Sequence, residues 1–91
     1  MTDTDRTVAL LRLLGHPVRL RILTALRNGP LSVSALQEAT GAAQSAVSQQ
    51  LIPLRGAGAV SCHRSAEDAR IMLYALASDH VRAVLDAVQD P

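Results

Sequence analysis

Residues 31–55, LSVSALQEATGAAQSAVSQQLIPLR, contain two stretches of helical character joined by a short turn. The first helix is predicted to begin at Ser32 or Ser34, whose hydroxyl groups are good caps, and to continue to Thr40. Gly41 ends it. Two helices joined in this way are typical of a helix-turn-helix, in which the second helix lies in the major groove of DNA.

The second helix of this pair is predicted over residues 44–55 and has two different faces. One face repeats apolar residues at the helical spacing i, i+4, i+7, with Val47, Leu51 and Leu54. The opposite face carries four hydrogen-bonding side chains and one isoleucine: Gln44, Ser45, Ser48, Gln49 and Ile52. Because glutamine can form a forked pair of hydrogen bonds with adenine and serine accepts several bases, the four polar residues are candidates for reading DNA. The alternative is that they only keep an exposed helix soluble.

A β-hairpin is predicted after this helix. Residues 59–64, AVSCHR, and residues 70–76, RIMLYAL, have the composition of strands and flank a polar turn. Three arginines at the end of the helix and in the hairpin suit phosphates or the minor groove: Arg55, Arg64 and Arg70. The glycine turn and the hairpin together favour DNA binding over the solubility alternative.

Further helical patterns flank this region. Thr4 and Asp5 can cap a first helix that ends at Gly15, and His16-Pro17 begins a second, because proline at the first helical position loses no hydrogen bond. Ser78 can cap a last helix with apolar residues at helical spacing: Val81, Val84, Leu85 and Val88. The order α-α-α-α-β-β-α predicts one mainly α domain with a small β-hairpin over residues 1–91.

The composition narrows the classes of function. Residues 6–66 hold seven arginines and one acid, Glu38, which gives this segment a net charge of +6 in a chain of net charge +1. A basic segment of this kind suits a polyanion such as DNA.

We do not expect an enzyme, because no nucleophile elbow, phosphate loop or clustered carboxylate pair is present. The single cysteine, Cys62, and the lack of an apolar run that could span a bilayer lead us to expect a cytoplasmic protein.

The chain resembles the ArsR/SmtB family of small bacterial winged-helix regulators. The resemblance rests on HPVRLRIL, residues 16–23, followed by QSAVSQQLIPLRGAGAV, residues 44–60, and extends over about residues 8–88. It implies a winged helix-turn-helix homodimer that binds double-stranded DNA at a palindromic operator, most often as a repressor. It also implies that the first and last helices form the dimer interface, through Val8, Leu11, Val81, Val84, Leu85 and Val88.

Members of this family often release DNA when they bind a metal ion, and this chain departs from two of their ligand patterns. Thiolate-using members carry Cys-Val-Cys where this chain has Ser32-Val33-Ser34, and a serine hydroxyl is a poor ligand for a soft metal. Nickel- and zinc-type members carry Asp-x-His where this chain has Ser78 and His80. The resemblance leaves Ni²⁺ or Zn²⁺ with an incomplete site, in which His80 would need donors from the partner chain, with the partner's Asp79, Asp86 or Asp90 as candidates.

Several alternatives stay open. His80 could be an ordinary interface histidine, and Asp79 and Asp86 could form a salt-bridge stripe with Arg82. The chain could be a metal-independent ArsR-like regulator, either constitutive or redox-responsive through Cys62, although alternation along the strand favours an inert, half-buried thiol there. It could also be a winged-helix module that binds protein.

Departures from the family pattern within the second helix of the pair prevent a transfer of base preference. Ala43 stands where the family often has a serine cap, and Gln50 stands where it has histidine. Pro53 lies inside the helix and is expected to bend its last turn, because it removes one backbone hydrogen bond.

Overall fold

Five helices and one hairpin make up residues 2–89, which are the residues that the computed structural model describes. The elements in chain order are α1 (Asp3–Leu14), α2 (Pro17–Leu26), α3 (Val33–Thr40), α4 (Gln44–Gly56), β1 (Val60–Arg64), β2 (Met72–Leu76) and α5 (Asp79–Gln89). The predicted order of elements is confirmed.

Side-chain caps fix the beginnings of several helices. His16 caps α2, since its Nδ1 accepts a hydrogen bond from the Val18 N–H at 3.2 Å, and Pro17 follows it as predicted. Ser32 Oγ accepts from the Ala35 N–H at 3.1 Å and so caps α3. For α1 the predicted cap was wrong by two to three residues. Thr2 is the cap, and it forms a reciprocal pair of hydrogen bonds with Asp5 in a capping box.

The turn between α3 and α4 depends on Gly41. Its φ of 73° lies in the left-handed region, where a residue with a Cβ is strained, and its N–H donates to the Gln37 carbonyl at 2.9 Å. Ala43 then precedes α4 without a side-chain cap. The helix continues through Pro53 to Gly56.

The core lies where α2, α3 and α4 meet, and it is closed by the start of β1 and one face of α5. Its buried apolar residues are Leu14, Ile22, Leu23, Leu26, Leu36, Val47, Leu51, Leu54, Ala59, Val60, Val81 and Leu85. On α3 the inward residue after Leu36 is Thr40. The sequence pattern predicted Ala39 at that place, but Ala39 is exposed.

The two strands form an antiparallel hairpin in which Val60 pairs with Leu76 and Arg64 pairs with Met72. A third segment joins its open edge. The N–H of Leu31 donates to the Tyr74 carbonyl at 2.9 Å, and the Tyr74 N–H donates to the Leu31 carbonyl at 2.8 Å. The hairpin is thereby attached to the helix-turn-helix immediately before α3. Among residues 2–89, none of the helices is long and apolar enough to cross a lipid bilayer.

Candidate nucleic-acid interface and sensing residues

The outer face of α4 presents the predicted base-reading residues to solvent. Gln44, Ser45, Ser48 and Gln49 are all exposed. The opposite face of the same helix is fixed in the core by Val47, Leu51 and Leu54, each at most 2% exposed. The helix is therefore held by one face while the other is open along its whole length.

A hydrogen bond between helices also fixes the orientation of α4. Arg19 Nε on α2 donates to Gln50 Oε1 at 2.9 Å, and both side chains are half-buried. Gln50 therefore faces α2 and supports the helix from the side. The sequence identified Gln50 only as a departure from the family pattern, since a contact between residues 31 positions apart has no local signal.

The three arginines expected to meet phosphates are in different environments. Arg55 is exposed in the last turn of α4. Arg64 is exposed at the end of β1, and its Nη1 donates to the Ala69 carbonyl at 2.6 Å across the hairpin turn. Both arginines keep a positive charge without a carboxylate partner in the part of the chain that the structure describes.

Arg70, by contrast, is engaged within its own loop. Its Nε and Nη2 atoms donate to the two carboxylate oxygens of Asp68 at 3.0 and 2.9 Å. These hydrogen bonds, and a second contribution from the backbone N–H of Arg70, lower the pKa of the Asp68 carboxyl from its usual value. The charge of Arg70 is thus offset by a neighbour, which makes it the weakest phosphate candidate of the three.

Of the four candidate metal ligands, the three that the structure describes do not form a cluster that could hold a metal ion within one chain. His80 and Asp79 are exposed at the start of α5. Asp86 is two turns further along, where its Oδ1 accepts hydrogen bonds from Arg27 Nη2 at 2.7 Å and Arg27 Nε at 3.1 Å. Asp90 lies outside the described residues. Within residues 2–89, no group of three His, Cys, Asp or Glu side chains is placed to hold a metal ion.

The contact with Arg27 corrects one expectation about Asp86 and bears on another. As a metal ligand it would have to give up an ion pair with an arginine, and it does not form the predicted stripe with Arg82. Arg82 Nη1 donates to the Arg27 carbonyl at 3.3 Å instead. Gln89 completes this network, since Arg27 Nη1 donates to Gln89 Oε1 at 3.1 Å and Gln89 Nε2 donates to Thr24 Oγ1 at 2.7 Å.

His80 borders a cavity of about 290 Å³ between α1 and the start of α5. The lining is mostly apolar, with Leu10, Leu13 and Val81 among its side chains and Arg6 and Ser78 as its other polar residues. His80 thus lies where the two helices expected at the dimer interface approach each other.

Cys62 is half-buried on β1, and His63 points to the opposite, exposed face. The two residues therefore do not share a metal ion. Cys62 is the cross-strand partner of Tyr74. Burial, followed by contact with the Cys62 thiol, raises the pKa of the Tyr74 hydroxyl.

The residues implied at the dimer interface differ in how much of their surface is exposed to solvent. Val81 and Leu85 are 2% and 0% exposed in the core of their own chain, so they have no surface to offer a partner. Leu11 and Val88 are 58% and 66% exposed, and Val8 is exposed as well. Val84 is half-buried at the boundary. The apolar surface open to a second copy is therefore narrower than the sequence implied.

Comparison with known proteins agrees with this architecture. The family model described as "Bacterial regulatory protein, arsR family" matches residues 16–61. The HTH-type transcriptional regulator NmtR of Mycobacterium tuberculosis is 47% identical over 81 residues, which are 89% of this chain and 65% of that protein. This chain therefore spans slightly less than two thirds of the length of NmtR.

Solved structures show the same fold. The transcriptional repressor BigR from Xylella fastidiosa superposes with a TM-score of 0.83 at 33% identity, over 99% of this chain and 95% of that chain. A homodimeric winged helix-turn-helix DNA-binding domain from Mycobacterium bovis superposes with a TM-score of 0.78 at 26% identity, over 98% and 84%. The fold is a winged helix-turn-helix, with the β1–β2 hairpin as the wing, and the relatives are transcriptional regulators and not enzymes. The chain belongs to the ArsR family of bacterial regulatory proteins.

Proposed function

We propose that this chain is a cytoplasmic transcriptional repressor that binds double-stranded DNA as a homodimer. The observation that carries the proposal is the outer face of α4, which presents four exposed hydrogen-bonding side chains on a helix fixed by its opposite face. A rigid helix with a polar outer face can enter the major groove and keep its register there.

Each residue of this face has a stated role in the proposal. Gln44 and Gln49 read adenine through forked hydrogen bonds to N6 and N7, and Ser45 and Ser48 bond to the neighbouring bases. Arg55 at the end of the helix and Arg64 in the hairpin bind phosphates and fix the register of the helix without reading sequence. The net charge of +6 over residues 6–66 supplies the attraction that brings the protein to DNA.

A homodimer follows from the exposed apolar residues of α1 and α5 and from the homodimeric relative. A two-fold axis presents two copies of α4 to the same side of the duplex. The operator is then palindromic, with half-sites about one helical turn, roughly 34 Å, apart or a multiple of it.

Gel-shift titration with duplex DNA from upstream of the chain's own gene tests the proposal. We expect retardation at low salt that is lost steeply as salt rises, because bound arginines release counterions from the DNA. A duplex of scrambled sequence is the control for specificity. We expect Gln49→Ala to lower affinity for the operator about tenfold while leaving binding to the scrambled duplex unchanged. Failure to retard any duplex at low salt would favour the protein-interaction module.

The direction of regulation needs a separate measurement. Deleting the gene should raise transcription from a promoter that contains the operator, and restoring the gene should lower it again. A fall in transcription on deletion would identify an activator.

The proposal for a signal is limited to the dimer interface, because the described residues of one chain do not form a metal site. A nickel or zinc ion would need His80 together with donors from a second copy, with the exposed Asp79 of that copy as a candidate. Titration of the purified protein with Ni²⁺, Zn²⁺ and Co²⁺ tests this, with His80→Ala as the matched variant. Equal binding by both proteins would remove His80 from the ligands, and the lack of tight binding would identify a metal-independent regulator.

A further inference from the structure

Ile52 is the most exposed large apolar side chain among residues 2–89, with 71% of its surface open to solvent. It lies near the end of α4 and contributes nothing to the core. An isoleucine is also a slightly poorer helix former than alanine, because its branched side chain loses rotamer freedom in a helix. The fold therefore gives no reason for isoleucine at this position.

The position of Ile52 on the helix associates it with the base-reading residues. It follows Ser48 by four residues and Gln49 by three, and residues at these spacings are neighbours on a helix surface. It also follows Ser45 by seven residues, which is two turns. Ile52 thus extends the exposed polar face of α4 by one apolar side chain.

The major groove offers one prominent apolar group for such a side chain. Each base pair presents hydrogen-bond donors and acceptors there, and thymine adds its C5-methyl group. We propose that Ile52 recognises thymine through this methyl group and sets a thymine preference at one position of each half-site. This inference rests on the proposed binding of α4 in the major groove.

The arrangement of α4 supports this contact. When the first two turns of the helix meet base edges, Ile52 is the next residue on the same face, and Arg55 lies three residues beyond it and can bind a phosphate. Contact with a methyl group removes apolar surface of both partners from water, which is favourable without any hydrogen bond. Ile52 therefore adds specificity that the serine and glutamine side chains cannot provide.

The test starts with binding sites selected by the full chain from a library of random duplexes. Each thymine of the selected site is then replaced, one at a time, by deoxyuridine, which pairs identically but lacks the methyl group. Affinities are measured by competition for the wild-type protein, for Ile52→Ala and for the conservative variant Ile52→Val. Circular dichroism checks that the variants are folded, as the exposure of Ile52 leads us to expect.

We expect the replacement at one thymine of each half-site to weaken the wild-type protein about fourfold per half-site, the effect of removing one buried methyl group. Ile52→Ala should bind the thymine and deoxyuridine duplexes equally, and Ile52→Val should retain part of the difference. The proposal is overturned if no single replacement weakens the wild-type protein, if the same replacement weakens Ile52→Ala equally, or if the selected half-site contains no thymine. Failure to select any site would instead reject the proposed function.

Discussion

At the scale of single residues, the best-predicted features are those with a local chemical signature. Gly41 ends α3, His16 caps α2 and Ser78 caps α5, and each is recognisable from the sequence because its effect reaches only a few residues along the chain. Thr40 was missed for a related reason. It is buried although polar, because its hydroxyl donates to the Leu36 carbonyl at 2.7 Å and accepts from the Ala42 N–H at 3.2 Å. An apolarity pattern cannot find a threonine whose hydrogen bonds are satisfied locally.

The two helix-end glycines of the helix pair give a matched test of backbone strain. Gly41 has φ of 73°, so Gly41→Ala should lower the free energy of unfolding by about 1–2 kcal/mol. Gly56 lies at the end of α4 without a positive φ and with nothing within 4 Å of an added Cβ. Gly56→Ala should therefore be neutral or stabilise the protein by up to about 1 kcal/mol. Urea unfolding at one fixed protein concentration measures both, and equal effects would contradict the assignment of strain to Gly41.

Arg64 and Arg70 give a second test at the same scale. The logarithm of the affinity for DNA falls linearly with the logarithm of the salt concentration. Arg64→Ala should reduce the steepness of this line by about 0.9 for each lost phosphate contact, or by roughly 2 for a dimer. The control is Asp68→Ala combined with Arg70→Ala, which removes a hydrogen-bonded pair without changing the net charge. This double variant should leave the slope unchanged. An equal fall in the slope for Arg64→Ala and for the double variant would show that Arg70 also binds phosphate.

At the scale of elements, the helices and strands were predictable, but the contacts between them were not. Residue spacing favoured Asp86 as a partner of Arg82, because periodicity compares only positions within one helix. The structure pairs Asp86 with Arg27, which is 59 residues away and follows the end of α2. The Leu31–Tyr74 bridge was missed for the same reason. Long-range pairs depend on how elements pack, and a single sequence carries no direct signal for them.

The hydrogen bonds and ion pair around Arg27 attach α5 to the end of α2, and Asp86→Ala should weaken this attachment. Side chains of Arg27 and Asp86 are 19% and 52% exposed, so we expect the free energy of unfolding to fall by about 0.5–1 kcal/mol. The Asp68–Arg70 pair, whose arginine is 89% exposed, is the control, and Asp68→Ala should lower the free energy of unfolding less than Asp86→Ala does. Thermal and urea unfolding measure both variants. No change with Asp86→Ala would show that the ion pair contributes nothing to the attachment of α5.

At the scale of the whole molecule, the proposed function depends on two surfaces, and the sequence predicts the exposure of one better than that of the other. The exposed polar face of α4, which we propose binds DNA, was predictable, because a polar face opposite an apolar stripe on one helix is a local pattern. The apolar surface that α5 leaves open to a second copy was overestimated, because apolar periodicity does not separate residues that face the chain's own core from residues that are exposed. Val81 and Leu85 belong to the first kind, and Val88 to the second.

Leu11 provides the most direct test of how the two surfaces depend on each other. It is 58% exposed on α1, so a charged residue there should leave the fold intact but place an unpaired carboxylate in an apolar interface. We expect Leu11→Asp to sediment as a monomer, whereas Leu11→Met, which keeps the apolar contact, remains a dimer.

Binding of Leu11→Asp to a palindromic duplex should fall about 100-fold or more, because two linked half-site contacts become independent. Leu11→Asp should bind a duplex with one half-site as tightly as the wild-type protein does. Only one α4 contacts such a duplex, and the substitution leaves the base-reading face of α4 unchanged. A monomer that keeps its full affinity for the palindrome would contradict the dimeric mode of recognition, and a dimer that persists would move the interface away from this face of α1.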